Sequence, residues 1–149
     1  MHPVPISLVH AFTTELAVSA NPAVEIGRPP NLDLADLHCE HLTLHSADNA
    51  PHWRVQLRLQ QDATLKNNSP YSFRWAGEGW FELAPNFPAE RAEDFVTVNG
   101  TSILYGLARE QLRQIMSMGP LVPIMLPAVT FARQPTQPVP QAALASPSQ

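Results

Sequence analysis

The stretch Trp53 to Gln60 leaves few folds open. Trp53, Val55, Leu57 and Leu59 alternate with Arg54, Gln56, Arg58 and Gln60, which is the period of a pleated strand with one dry face and one wet face. Such a strand belongs to an antiparallel sheet covered on one side only. A partner follows at once. Tyr71, Phe73 and Trp75 alternate with Ser72 and Arg74, and the polar run Lys66-Asn67-Asn68-Ser69-Pro70 reads as the turn between the two strands. Gly77-Glu78-Gly79 is expected to loosen this strand, with Trp80-Phe81-Glu82-Leu83 extending it past a bulge. Pro85 and Pro88 stop it.

Two more strands precede the hairpin. Over Ile6 to Val18, the residues Ile6, Leu8, Phe12, Leu16 and Val18 fall on one parity. Asn21-Pro22 ends the run, and Gly27 to Asn31 is a loop. Leu37 to Leu44 is a second strand, with Leu42 and Leu44 on one face and Cys39, His41, Thr43 and His45 on the other. Asn49-Ala50-Pro51 makes the next break.

After Pro88 the period becomes helical. Thr101 or Ser102 is the expected cap of a helix that runs to about Met118. Leu104, Leu107, Ala108, Leu112, Ile115 and Met116 form its broad apolar face, and Gly119-Pro120 ends it. Leu121 to Phe131 is extended and punctuated by proline. Four strands followed by a helix predict an α+β fold, a four-stranded antiparallel sheet packed by one long helix. One domain over residues 1–133 and a Pro/Gln/Ala/Ser tail over 134–149, expected to be disordered, complete the organisation.

Charge and cysteine usage narrow the function. Nine basic and thirteen acidic residues give a net charge of −4, and Lys66 is the only lysine. No basic cluster suited to nucleic acid exists. Cys39 is the only cysteine, so an intrachain disulfide is impossible and a reducing compartment is expected. The N-terminus has no basic and apolar leader pattern. Pro123 and Pro127 interrupt the most apolar late stretch, which is too short to span a bilayer. A cytoplasmic location is expected, without membrane insertion.

His38, Cys39, His41 and His45 form the only metal-like cluster, but without the usual ligand spacings. The plainer expectation is a polar, solvent-facing strand surface. Cys39 with His41 or His52 has no marked orienting carboxylate or oxyanion hole. Gly77-Glu78-Gly79 lacks the third glycine and following helix of a phosphate loop. No cofactor, no metal and no enzymatic activity are expected. A small metal-dependent enzyme using the histidines and a scaffold protein remain the alternatives to the reading that follows.

The segment Ile103-Leu104-Tyr105-Gly106-Leu107-Ala108-Arg109-Glu110 resembles the entry to the long helix in the SecB family of protein-export chaperones. Gly119 to Phe131 is similar to the Pro/Leu-spaced segment that follows that helix, with Thr130 where the family has Asn. Phe12-Thr13-Thr14-Glu15-Leu16 resembles its first strand, and Trp53 to Leu83 its central hairpin. The resemblance spans roughly residues 6 to 131. Its second helix is not expected here because of Pro135, Pro138 and Pro140, and residues 134–149 hold no acid that would match its acidic tail.

The resemblance implies an ATP-independent holder of unfolded or precursor polypeptides, built as a homotetramer that is a dimer of dimers. By their strand parity, Trp53 and Phe73 are expected in the core. Phe12, Trp80, Phe81 and Phe87 are expected to contact clients, and Leu112, Ile115 and Met116 to lie between subunits. The face toward the export motor SecA would carry Glu15, Ser19 and Arg74. A neutral Ser19 and a basic Arg74, where acids are expected, imply weak SecA coupling. A chaperone dedicated to one partner, such as an antitoxin, is the alternative client relationship.

Overall fold

The computed structural model describes residues 2, 4–46 and 51–132. The expected tail over 134–149 and the Asn49-Ala50 part of the expected break lie outside the described residues. The elements are β1 (Ile6–Ala20), β2 (Leu37–His45), β3 (His52–Gln61), β4 (Tyr71–Leu83) and α1 (Ala89–Ser117). A 3-10 turn at Leu34–Asp36 precedes β2. The four strands form one antiparallel sheet in the order β1-β4-β3-β2. The α+β expectation therefore holds, and α1 packs on one face of the sheet.

The inner face carries the core. Trp53, Val55, Leu57 and Leu59 from β3 and Tyr71, Phe73 and Trp75 from β4 are buried, as the alternation predicts, and Phe81 and Leu83 of β4 are buried with them. β4 runs unbroken through Gly77 and Gly79, in register with β3 from Gln61↔Phe73 to His52↔Glu82. These two glycines do not loosen the strand; they make room on its inner face. A Cβ at Gly77 would lie 2.3 Å from the Trp75 ring, and one at Gly79 would lie 2.6 Å from the Phe81 ring. Phe81 is thereby a fully buried core residue. That overturns its expected place on a client surface.

The irregularities lie in β1 instead. Its register against β4 shifts between Leu8 and His10 and again between Thr13 and Glu15. Each extra residue reverses the side-chain parity beyond it. Phe12, opposite Glu78, therefore faces outward, on the opposite face from Leu8 and Leu16. The single parity expected for Phe12 with those leucines fails for this reason. Thr13 faces inward, and its hydroxyl bonds to Gln111 Oε1 at 2.6 Å, an atom that also accepts the Trp75 indole N–H at 2.8 Å.

The helix begins at Ala89, a full three turns before the expected cap at Thr101 or Ser102. Its buried residues include Ala92, Val96, Gly100, Leu104, Ala108, Leu112 and Met116, one every fourth position. Four residues turn about 400°, so this stripe drifts about 40° per step around the helix. The sheet covers part of the drifting stripe, and the extended segment after α1 buries Ile124 and Leu126 against the same cluster. Gly100 permits the close approach, since a Cβ there would lie 2.8 Å from Val55 Cγ2 and 3.1 Å from Phe81 Cε2. Leu112 and Met116 are in this chain's own core, 1% and 0% exposed, rather than between subunits as expected. Ile115 is half-buried beside them.

The polar turn between β3 and β4 is itself buried. Asn67, Asn68 and Ser69 are each at most 2% exposed. Asn68 adopts φ 47°. Its amide donates to the carbonyls of Glu25 and Arg28, and its Oδ1 accepts the Glu25 N–H at 2.8 Å. The turn thus anchors the long β1–β2 connection, and none of its buried side-chain polar atoms lacks a partner. At the other end of the helix, Gly119 lets the Tyr71 hydroxyl approach, and that hydroxyl accepts the Leu121 N–H at 2.9 Å.

Candidate functional site: a groove between β2 and the helix

The outer face of the sheet and the helix side of β2 are the two places where side chains of interest gather. Outer-face residues fall into rows across the strands. Phe12, Glu78, Gln56 and Leu42 form one row; Glu15, Ala76, Arg58 and Glu40 form the next; Ala17, Arg74, Gln60 and His38 form a third. Glu78 Oε1 accepts from Arg54 at 2.7 Å and from Gln56 at 2.6 Å. Burial raises the Glu78 carboxyl, but these bonds and the Arg54 charge outweigh it and leave the pKa below the usual carboxylate value. The Arg54 guanidinium lies 5.8 Å from the Trp80 ring centre. His10 tilts against Phe12 at 5.4 Å.

Sequence-predicted residues divide between these places. Phe12 and Trp80 lie on the outer face, 38% and 39% exposed, and Trp80 belongs to β4. Glu15, Ser19 and Arg74 are also exposed on that face. Around the shallow hollow of about 340 Å³ that Glu15, Arg58 and Arg74 share, acid and base alternate, so no single sign dominates. Phe87 lies apart from all of them, at the end of the sheet near the start of α1, and packs on Phe95 at 4.7 Å.

On the helix side, β2 is inverted relative to expectation. Cys39, His41, Thr43 and His45 pair with Leu59, Leu57, Val55 and Trp53 and so share the inner face, whereas Leu42 and Leu44 point outward, 50% and 40% exposed. Cys39, His41 and His45 are exposed, as a polar strand surface requires, but the two histidines stand along the wall of an open groove. His45 stacks on Trp53 at 4.0 Å, and Thr43 and Thr97 join hydroxyls at 2.7 Å. His41 meets Phe131 edge-on at 6.4 Å, and Phe131 meets Tyr105 at 5.7 Å.

The groove has two hollows. The first, about 460 Å³, lies between His41 and Thr43 on one side and Glu93, Thr97 and Val98 on the other, with Phe131 and Ala132 at one end. The second, about 580 Å³, is walled by His45, Trp53, Pro85, Phe87, Ala89 and Ala92. Both are open to solvent. Their walls combine aromatic rings, small side chains and a few acids. Sequence reasoning found Trp53 and Phe87 as aromatics but missed Phe131, Thr97 and Val98. Thr97 and Val98 precede the helix start that the sequence suggests at Thr101 or Ser102, and nothing local marks Phe131 as a wall.

The same strand offers backbone. β2 is an edge strand. Its register with β3 is uninterrupted from Leu37↔Gln61 to His45↔Trp53, with no bulge and no proline. Natural edges are usually blunted by bulges, prolines or lysines, as β1 is by its two shifts. β2 carries none of these.

Catalytic and metal chemistry find no support here. Burial raises the Cys39 thiol, and the neighbouring Glu40 raises it further, which is the opposite of nucleophile activation. On a strand, Cys39 and His45 are about 20 Å apart along the chain axis, beyond the reach of one ion. Among the described residues, no group of three or more His, Cys, Asp and Glu could hold a metal. No described helix is long and apolar enough to cross a membrane.

No family model matches the chain, and the search of curated proteins finds no match. Solved structures do. The chain is similar to the SecB-like chaperone Rv1957 of Mycobacterium tuberculosis, solved with a ChAD peptide from the HigA1 antitoxin. The TM-score is 0.62 at 12% identity, covering 85% of this chain and 91% of that one. It is also similar to a protein of unknown function from Streptococcus agalactiae, with a TM-score of 0.48 at 11% identity over 83% of this chain and 97% of that one. The first likeness shows that the chain has a SecB-like fold.

Proposed function

We propose that this protein is an ATP-independent chaperone that holds unfolded or precursor polypeptides soluble, with its client seated in the groove between β2 and α1. The observation that carries the reading is the pairing of an aromatic-lined groove with an unblunted strand edge. An unfolded chain offers exposed apolar side chains and unpaired backbone. The hollows take the first, and β2 can bond to the second by adding a strand. Alternate client residues would then enter the groove or lie beside Leu42 and Leu44 on the outer face. Neither contact reads a particular sequence.

The SecB-like fold and the antitoxin peptide bound by the Mycobacterium neighbour support a dedicated partner of the antitoxin kind over a general export role. The mixed charge around Glu15, Arg58 and Arg74 supports weak coupling to SecA. A cytoplasmic homotetramer, a dimer of dimers, belongs to the same proposal, and light scattering after size exclusion tests it. Phe12 and Trp80 form a second, smaller apolar patch for a long client that wraps to the outer face.

Aggregation of an unfolded model protein, followed by scattering without ATP, tests the central claim. The wild-type protein is expected to suppress it near stoichiometry. Val98→Arg, which places a charge in the first hollow, is expected to lose most of the suppression at unchanged melting temperature. Absence of suppression by the wild-type protein at several-fold excess sinks the proposal.

A further inference from the structure

The groove begins where the described chain ends. Phe131 and Ala132 line the first hollow, between β2 and the N-terminal half of α1. The next residues are Arg133-Gln134-Pro135-Thr136-Gln137-Pro138-Val139-Pro140. We infer that this protein's own C-terminal segment, residues 133–149, is an intramolecular occupant of the groove, with its proline run over the aromatic hollow at His45, Trp53 and Phe87. The inference rests on the groove being the client site.

Reach, charge and chemistry converge on that occupant. From Thr97 to Ala92 the helix rises about 8 Å, and from Thr43 to His45 the strand advances about 7 Å. The second hollow is therefore about 7–8 Å beyond the first. A proline-rich chain advances about 3.1 Å per residue, so Pro135 arrives about 9 Å past Ala132 and Pro138 about 19 Å past it. The prolines fall at the hollow without any change in the described fold. Arg133 is the segment's only charge, and it directly follows Ala132, which lines a hollow together with Glu93 and Asp94. Flat rings are the surfaces on which proline-rich segments dock, because such segments are pre-extended and lose little freedom on binding. His45 stacked on Trp53 at 4.0 Å, with Phe87 across the hollow, is a surface of that kind. The segment has no acid to oppose the groove's own acids.

The consequence is self-regulation. A short tether gives an effective concentration in the millimolar range. A contact as weak as about 1 mM then keeps the groove occupied for much of the time and lowers client affinity about 2- to 10-fold. A strong client displaces the segment, while weakly apolar chains are refused.

The test uses the full chain with Cys39→Ser and Gln141→Cys, carrying a nitroxide on the new thiol. Paramagnetic broadening is expected at the Trp53 indole, His45 and Ala92, well above that at the outer-face residues Arg58 and Gln60. Pro135→Gly with Pro138→Gly should weaken that selective broadening and tighten binding of a permanently unfolded model polypeptide by the same 2- to 10-fold. Even broadening over both faces, or broadening and affinity unmoved by the glycine pair, overturns the inference. If neither protein binds the polypeptide, the client reading fails by itself, and the broadening pattern alone decides whether the segment docks.

Discussion

Two glycines in one helix should respond to alanine in opposite directions. In a helix interior, glycine costs about 0.8–1.0 kcal/mol relative to alanine, so propensity alone favours both substitutions equally. Gly106 is exposed, and a Cβ there would meet nothing within 4 Å. Gly106→Ala is therefore expected to gain about 1 kcal/mol. At Gly100 the Cβ would be 2.8 Å from Val55 Cγ2 and 3.1 Å from Phe81 Cε2. Both neighbours are 0% exposed, and neither is a flexible chain end that can move aside. Overpacking of that sort costs about 1–3 kcal/mol, so Gly100→Ala is expected to lose about 1 kcal/mol net. For a chain of this size, 1 kcal/mol is about 3–4 °C in melting temperature, which separates the two variants by about 7 °C. Calorimetry and guanidinium titration at matched concentration read the difference. Equal shifts of the same sign would refute the reasoning. A loss at Gly106→Ala with altered elution would show that another subunit closes on that face of α1.

Three other outcomes follow from particular contacts. Asn68→Ala removes the bonds to Glu25 and Arg28 and places a Cβ-only side chain at φ 47°; it should cost about 2–4 kcal/mol in urea unfolding, with Asn68→Gly costing less because the backbone is relieved. Glu78 has a folded pKa below its ordinary 4.5, so its contribution is present above about pH 4.5 and is lost as pH falls through the folded value; stability of Glu78→Gln should decline less steeply than wild type across that window. Arg74→Glu should raise SecA affinity several-fold at low salt and little at physiological salt, in calorimetry with the purified motor, while client holding is unchanged; tight SecA binding by the wild-type protein contradicts the weak coupling.

The strands were legible because burial on one face writes itself into alternation. β3 and the start of β4 were read to within a residue for this reason. What escaped reading was set by partners distant in sequence. Val96-Thr97-Val98-Asn99-Gly100 is a poor helix former, and only the sheet beneath it, at Val55 and Phe81, makes that stretch helical. The available signal was Pro88 followed by Ala89-Glu90-Arg91-Ala92, with an acid in the first turn. The β1 bulges leave no trace in composition, so the direction of Phe12 could not be read. β2 misled because neither of its faces is well covered. Its leucines suggested an inner face, while the true inner face lines an open groove and tolerates histidine and threonine.

The candidate site and the core share their walls, and this decides how the groove can be probed. Trp53 is 8% exposed and belongs to the core cluster, yet its ring forms the floor of the second hollow. Phe87 is held by Phe95, and Phe131 by Tyr105, so the rings facing solvent are backed by rings that fix them. A surface assembled in this way is ordered before a client arrives, which lowers the cost of binding. It also means that removing Trp53 alters stability and binding together, because cavity and contact disappear at once. Val98, Thr97 and His41 stand on the groove without filling the core. Loss of client binding at those positions, at constant melting temperature, is what assigns the groove its function. Loss at Trp53 alone does not.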